Sequence, residues 1–168
     1  MKKIIFLLAV IISVSSFGQG KQKFGHINSN ELLQSMPENQ QAREALQQHS
    51  KELETQLTAM QAELEQKYND YLAKKDSLSP LIQKTRESEL NDLNTRIQSF
   101  QQTAQQDLQA KEQELMKPII EKARNTIREI AAANGYTYVF DTSTGALVFW
   151  PETSDDLLPL VKTKLGIQ

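Results

Sequence analysis

The chain has 168 residues, no Cys, and 19 Lys and Arg against 21 Asp and Glu, for a formal net charge of −2. Without Cys there are no disulfides, no thiolate nucleophile and no zinc site built on cysteines. The acidic balance argues against a general nucleic-acid binder, which carries a basic patch or stripe.

Met1 to Gly18 reads as a signal peptide. Lys2 and Lys3 give a positive start, Ile4 to Val14 is apolar apart from Ser13, and Ser16-Phe17-Gly18 offers small residues to a signal peptidase. The apolar run is short for a bilayer span, and no Cys follows it to carry a lipid. The mature chain is expected to begin at Gln19 and to be exported. Loss of Lys2 and Lys3 leaves 17 basic against 21 acidic groups, a net −4.

Phe24-Gly25-His26-Ile27 reads as a short strand. Asn28, three residues before Glu31, resembles a capping box and starts a short helix through Met36. Ser35 and Glu38 repeat that spacing around Pro37 and start a much longer helix.

Pro37 to Asn134 contains no Gly and is dense in Gln, Glu, Leu, Lys and Ala, all good helix formers. The stretch reads as two long helices folded back on each other, with the tip at residues 76–80. Ser79 suits a helix cap and Pro80 its first position. Each arm, of about 40 residues or more, reaches roughly 60 Å. On the first arm Leu46, Leu53 and Met60 interleave with Leu57, Leu64, Tyr71 and Leu78 as a heptad stripe. The same frame puts Ser50, Lys67 and Lys74 on the seam, which predicts pliable arms. Leu90, Leu93, Ile97, Phe100 and Ala104 carry the stripe on the second arm, and Leu108, Leu115 and Ile119 resume it after a four-residue skip. Pro118 predicts a kink where the arm meets the body. Asn134-Gly135 ends the helix.

Tyr136 to Asp141 is strongly strand-like. Thr142 to Gly145 turns, and Ala146 to Trp150 is expected to return as a second strand. Asp155 or Asp156 is expected to cap a final helix through about Leu165, with Pro159 in its first turn. The fold class is therefore mainly α with a small β body. Residues 19–36 and 135–168 form the body, and 37–134 form an antiparallel coiled-coil hairpin that projects from it.

A body of roughly 40 ordered residues is near the floor for independent folding. Yet both faces of its strands are apolar. Phe24, Ile27, Tyr138, Val139, Phe140, Val148, Phe149 and Trp150 are the candidate association surface, because apolar area of this extent is normally buried against partners. A second candidate is the basic cluster of Lys67, Lys74, Lys75, Lys84 and Arg86 at the tip. Lys67 to Arg86 is net +3, while Glu31 to Gln66 is net −5. Such a tip can steer acidic clients or make a weak contact with anionic membrane headgroups; its plain alternative is a solvated helix surface.

Catalysis has no place to occur. His26 and His49 are the only histidines, without metal-ligand spacing, and there is no nucleophile elbow or Gly-rich phosphate loop. No catalytic, cofactor or metal residue is assigned.

The order of elements is signal peptide, Phe24-Gly25-His26-Ile27-Asn28, a long charged hairpin, Tyr136-Thr137-Tyr138-Val139-Phe140-Asp141, a second strand and an Asp-capped terminal helix. It resembles the Skp (OmpH-like) family of periplasmic chaperones over essentially the whole mature chain, most specifically from Pro118 through Asp141. The resemblance implies a homotrimer with a β-rich body and three helical tentacles. It also implies ATP-independent holding of unfolded outer-membrane β-barrel proteins in the periplasm. The best-known members are strongly basic, and this chain departs from them in being mildly acidic. The other function class consistent with the residues is a structural, exported coiled-coil protein of the envelope.

Overall fold

The computed structural model describes residues 22–167; the signal peptide at Met1 to Gly18 and the start at Gln19 lie outside the described residues. Two compact units are present. Residues 22–36 and 121–167 form one, and residues 37–120 the other. The boundary falls two residues beyond Pro118.

The first unit is built on a three-stranded sheet. Strand β1 (Phe24–Ile27) lies at its centre, with β2 (Tyr138–Asp141) on one side and β3 (Asp155–Asp156) on the other, all parallel. Phe24 pairs with Tyr138 and Ile27 with Asp141, while Gly25 and His26 pair with Asp155 and Asp156. Helix α1 (Ser29–Ser35) follows β1 and starts as its sequence dictates, with Asn28 Oδ1 accepting from the Glu31 N–H at 3.1 Å. The second capping box does not form. Met36 is extended before Pro37, as a residue preceding proline should be, and the Ser35 hydroxyl turns back to donate to the Leu32 carbonyl at 2.7 Å.

Asp141 fastens the end of β2 to the start of α1. Its carboxylate accepts from the Ser29 hydroxyl at 2.5 Å, the Ser29 N–H at 3.2 Å and the Ser143 N–H at 2.9 Å. Burial by itself raises this carboxyl. The bonds from Ser29 and Ser143 outweigh it and hold the group below its usual value. The fastening is therefore intact above the ordinary carboxylate range and is lost as pH falls through the lowered value.

Ala146 to Trp150 is not a strand. The segment is irregular, and the third strand is Asp155–Asp156 instead. Strand preference expresses packing against neighbours, and among the described residues no strand pairs with this segment: Val148 is 94% exposed and Phe149 79%. Helix α4 (Leu158–Leu165) follows β3, with Pro159 in its first turn. Neither Asp155 nor Asp156 is the N-cap: that position falls to Leu157, which makes no side-chain cap bond, while Asp156 pairs in the sheet and accepts from the Leu158 N–H at 2.9 Å. Gly166 ends α4 in the left-handed conformation. Ile27, Leu32, Met36, Leu157 and Val161 form the buried centre of this unit. An ion pair joins Lys162 of α4 to Glu31 of α1 at 3.5 Å.

The second unit is a helical hairpin. Helix α2 (Pro37–Lys74) runs into a single 3₁₀ turn (Lys75–Ser77), and α3 (Pro80–Ala133) runs back. Ser79 Oγ accepts from the Ile82 N–H at 3.4 Å, and the Gln83 amide ties the turn by donating to the Lys75 and Leu78 carbonyls at 2.9 and 3.1 Å. Tyr71 meets Glu87 close to the turn and His49 meets Asp107 far from it, so the arms are antiparallel. Helix α3 passes through Pro118 without interruption.

The seam lies where the heptads place it. Leu93 and Ile97 are buried, and Leu46, Leu53, Leu57, Leu64, Leu90 and Phe100 are half-buried. Half-buried leucines contribute less than the ~1.5–3 kcal/mol of full burial. Few Cα atoms of the two arms approach within 8 Å, so the contact runs through long side chains. Ser50, Lys67 and Lys74 are exposed rather than buried in the seam. Lys67 and Lys74 instead reach the carboxylates four residues back, Glu63 and Asp70, each at 3.5 Å.

Gly25 is the close-approach point of the sheet. A Cβ there would run into Leu157 Cδ1 and come within 3.0 Å of the Tyr136 ring. Leu157 is fully buried and has little room to shift. Gly25→Ala is therefore expected to cost ~1–3 kcal/mol and to lower the melting temperature by roughly 2–10 °C. Unchanged melting, followed by circular dichroism, contradicts this packing.

Candidate functional site

Strand alternation sorts the candidate association residues into two groups. Phe24, Tyr138 and Phe140 share one face of the sheet, with ring centroids 6.1 to 6.3 Å apart. They remain 46%, 58% and 42% exposed. Ile27 and Val139 fall on the opposite face. Ile27 is buried in the chain's own core and Val139 is half-buried opposite Gly25, so Ile27 offers nothing to a partner. The unpaired segment adds exposed Val148 and Phe149, and the Trp150 ring rests 5.7 Å from that of His26. His26 Nδ1 lies 3.0 Å from the Ser154 hydroxyl, holding the ring beside this segment.

The basic tip is less basic in space than along the chain. Lys67 meets Glu63, Lys74 meets Asp70, and Arg86 meets Glu89 at 2.8 Å. Lys75 sits over the Tyr71 ring, 5.7 Å from its centroid, and Lys84 is exposed. The window from Lys67 to Arg86 stops just short of four glutamates. From Glu63 to Glu89 the same five cations face six carboxylates, a net −1.

Two grooves flank the contact between the arms near the turn, and Tyr71 and Leu90 line both. The smaller, about 250 Å³, carries Lys67, Lys74 and Arg86 beside Leu78 and Ile82. The larger, about 630 Å³, is open and is lined by Glu65, Tyr68, Tyr71, Glu87, Asn91 and Asn94 around Leu64. Tyr71 is the buried link between them. Its hydroxyl donates to Glu87 Oε1 at 2.6 Å across the arms. That bond, with burial and the nearby negative charge adding, pushes the phenol up to about 12. Sequence reasoning placed Tyr71 on the seam and missed its polar role, although Glu87 lies in the register that an antiparallel turn at residues 76–80 brings opposite it.

This geometry can hold a chain segment, but it gathers no reactive group. Among the described residues no cluster of His, Asp or Glu is placed to hold a metal ion, and no helix is long and apolar enough to cross a membrane. A family model for OmpH-like outer membrane proteins matches residues 23–165. The chain belongs to the OmpH-like family. Its fold is also that of a crystallised protein from Caulobacter crescentus CB15, designated an OmpH-like outer membrane chaperone, with a TM-score of 0.76 at 16% identity over 88% of this chain and 86% of that one. Among curated proteins none matches. The OmpH-like assignment covers the sheet, both arms and α4 together, so the hairpin and the sheet belong to one family unit rather than to a fusion.

Ultraviolet titration should show one of the four tyrosines ionising near 12 rather than 10. Because the folded value is raised, the Tyr71 bond contributes fully below about 10, and its contribution is lost as pH climbs toward 12. Tyr71→Phe should remove both the late ionisation and the alkaline loss of helix. A Tyr71 phenol that ionises at its ordinary value contradicts the bond.

Proposed function

We propose that this OmpH-like protein is an ATP-independent holding chaperone of the periplasm, exported by its N-terminal segment, that binds unfolded outer-membrane β-barrel proteins. The observation that carries the reading is the wet, apolar surface of the hairpin. Tyr68, Leu72, Leu81 and Ile82 stand exposed around the turn among charged neighbours. Scattered apolar side chains make many weak contacts with an unfolded chain and select no single pocket. Several arms acting together raise avidity without strong individual contacts. Release requires no nucleotide, because folding of the client in the membrane removes it from the arms.

Association of three copies belongs to the same proposal. The exposed face of Phe24, Tyr138 and Phe140 and the unpaired Val148-Phe149-Trp150 segment support contact between copies, and the number three rests on the family resemblance. In such an assembly Val139 is a secondary contributor. A weak contact of the tip with anionic headgroups would fall to Lys75 and Lys84, the two cluster members without a carboxylate within ion-pair distance. The structural-rod reading is less well supported, since a rod calls for closer backbone packing along the seam than these arms have.

Phe149→Asp tests assembly without unfolding the chain, because Phe149 is exposed within one copy. A carboxylate buried between copies would cost several kcal/mol. Protein recovered from the envelope, beginning at or near Gln19, should sediment as a trimer and suppress light scattering from a diluted, urea-denatured β-barrel protein. Phe149→Asp should sediment as a smaller species with native helix content and lose most of that suppression. A monomeric variant that holds the client as well as the natural protein contradicts the assembled working unit.

A further inference from the structure

The larger groove at the turn has a chemistry that the overall charge of the arm conceals. It is lined by two carboxylates, Glu65 and Glu87, two aromatic rings, Tyr68 and Tyr71, and the amides of Asn91 and Asn94; no Lys, Arg or His lines it. The cations of the same turn lie elsewhere. Lys67, Lys74 and Arg86 line the smaller groove and are held there by Glu63, Asp70 and Glu89. Cations and carboxylates together line the smaller groove, while carboxylates are the only charged groups lining the larger; the two share only Tyr71 and Leu90.

We propose that the larger groove is a binding site for cationic side chains, arginine above all, carried on an extended segment of client polypeptide. This deepens the chaperone reading and rests on it for the identity of the polypeptide. The argument is complementarity of charge and shape. A guanidinium is planar, has five N–H donors and no acceptor, and stacks on aromatic faces. The groove supplies matching acceptors in Glu65, Glu87 and the amide oxygens of Asn91 and Asn94. It supplies a ring in Tyr68, half-exposed and available for cation–aromatic contact. Glu87 uses Oε1 for the Tyr71 hydroxyl and retains Oε2. Tyr71 is fixed by that bond, so part of the groove is ordered before any ligand arrives. The volume, about 630 Å³, exceeds one side chain and leaves room for the backbone that carries it. Leu64 and Leu90 at its base accept the aliphatic stem of an arginine. An anionic segment is disfavoured in the same place by two like charges.

The test uses the full mature protein and three fluorescent extended peptides of identical apolar sequence, bearing at one central position arginine, citrulline or glutamate. Citrulline keeps the shape of arginine and removes the charge. By fluorescence anisotropy at low salt, the arginine peptide should bind roughly three- to tenfold tighter than the citrulline peptide, and the glutamate peptide weakest. That is the size one exposed cation–aromatic contact and one ion pair give together. Glu65→Gln, which leaves the Tyr71–Glu87 bond intact, and Tyr68→Ala should each shrink the preference toward one. Glu54→Gln, which neutralises an exposed carboxylate outside the groove, should not. Equal binding of arginine and citrulline peptides, or a preference unchanged in Glu65→Gln, overturns the site. A preference shrunk equally by Glu54→Gln also overturns it, because general charge would then be at work. Self-association that depends on Glu65 in sedimentation would assign the groove to a second copy of this chain and likewise overturn the proposal. Suppression of client aggregation is measured alongside. Suppression without arginine preference removes this site and leaves the chaperone reading standing, whereas arginine preference without suppression does the reverse.

Discussion

Two helices packed side by side can bury only one stripe of each, and the hairpin of this protein lives within that constraint. A third helix would cover the flanks of the seam; among the described residues no such helix is present. Leu93 and Ile97 reach full burial, while most seam leucines stop halfway. The arms are therefore held by a series of modest contacts, each below the ~1.5–3 kcal/mol of a fully buried aliphatic side chain. Polar cross-links supplement them: Tyr71 with Glu87 near the turn, and His49 with Asp107 at 2.5 Å farther along. The same constraint leaves Tyr68, Leu72, Leu81 and Ile82 in water and keeps the grooves beside Tyr71 open. A sparse seam and an accessible apolar surface are thus two consequences of one architecture. The proposed holding function has use for both.

The sheet unit meets the opposite demand. Its centre is closely packed, with Leu32, Met36, Leu157 and Val161 fully or almost fully buried. Gly25 is required because a side chain there would meet Leu157. Asp141 ties the end of β2 to the start of α1 through Ser29 and Ser143. The packed face is one face only. The other carries Phe24, Tyr138 and Phe140 to solvent, and the neighbouring Val148 and Phe149 are still more exposed. One face thus stabilises the single chain, and the other stays exposed within it.

Legibility in the sequence followed the range of the interactions. Local rules were easy to read. Asn28 caps α1, Ser79 and Pro80 restart the chain after the turn, and Gly135 takes the left-handed conformation at φ 70° that ends α3. The heptad stripe was legible because its period is set by the helix itself. Features that depend on neighbours were not. Ala146 to Trp150 has the composition of a strand, but composition cannot say that no strand lies beside it. Lys67 and Lys74 fit the seam frame, yet a flexible side chain reaches a carboxylate one turn back more readily than it buries a charge. Ile27 is apolar like the surface aromatics, but its place in the β1–β2 register puts it on the packed face. The groove around Glu65 and Tyr68 was hidden for the same reason: its walls come from both arms, and no linear window contains them.

The central claim is that the hairpin, through its loosely held seam, is the part that takes up unfolded polypeptide. Hydrogen exchange followed by mass spectrometry, with and without a denatured β-barrel protein, tests it most directly. The account predicts that in the free protein the arms between residues 46 and 108 exchange faster than the sheet unit. On client binding, protection should appear first around residues 61–94. Arms already as protected as the sheet in the free protein, or client-dependent protection confined to the sheet, would contradict it.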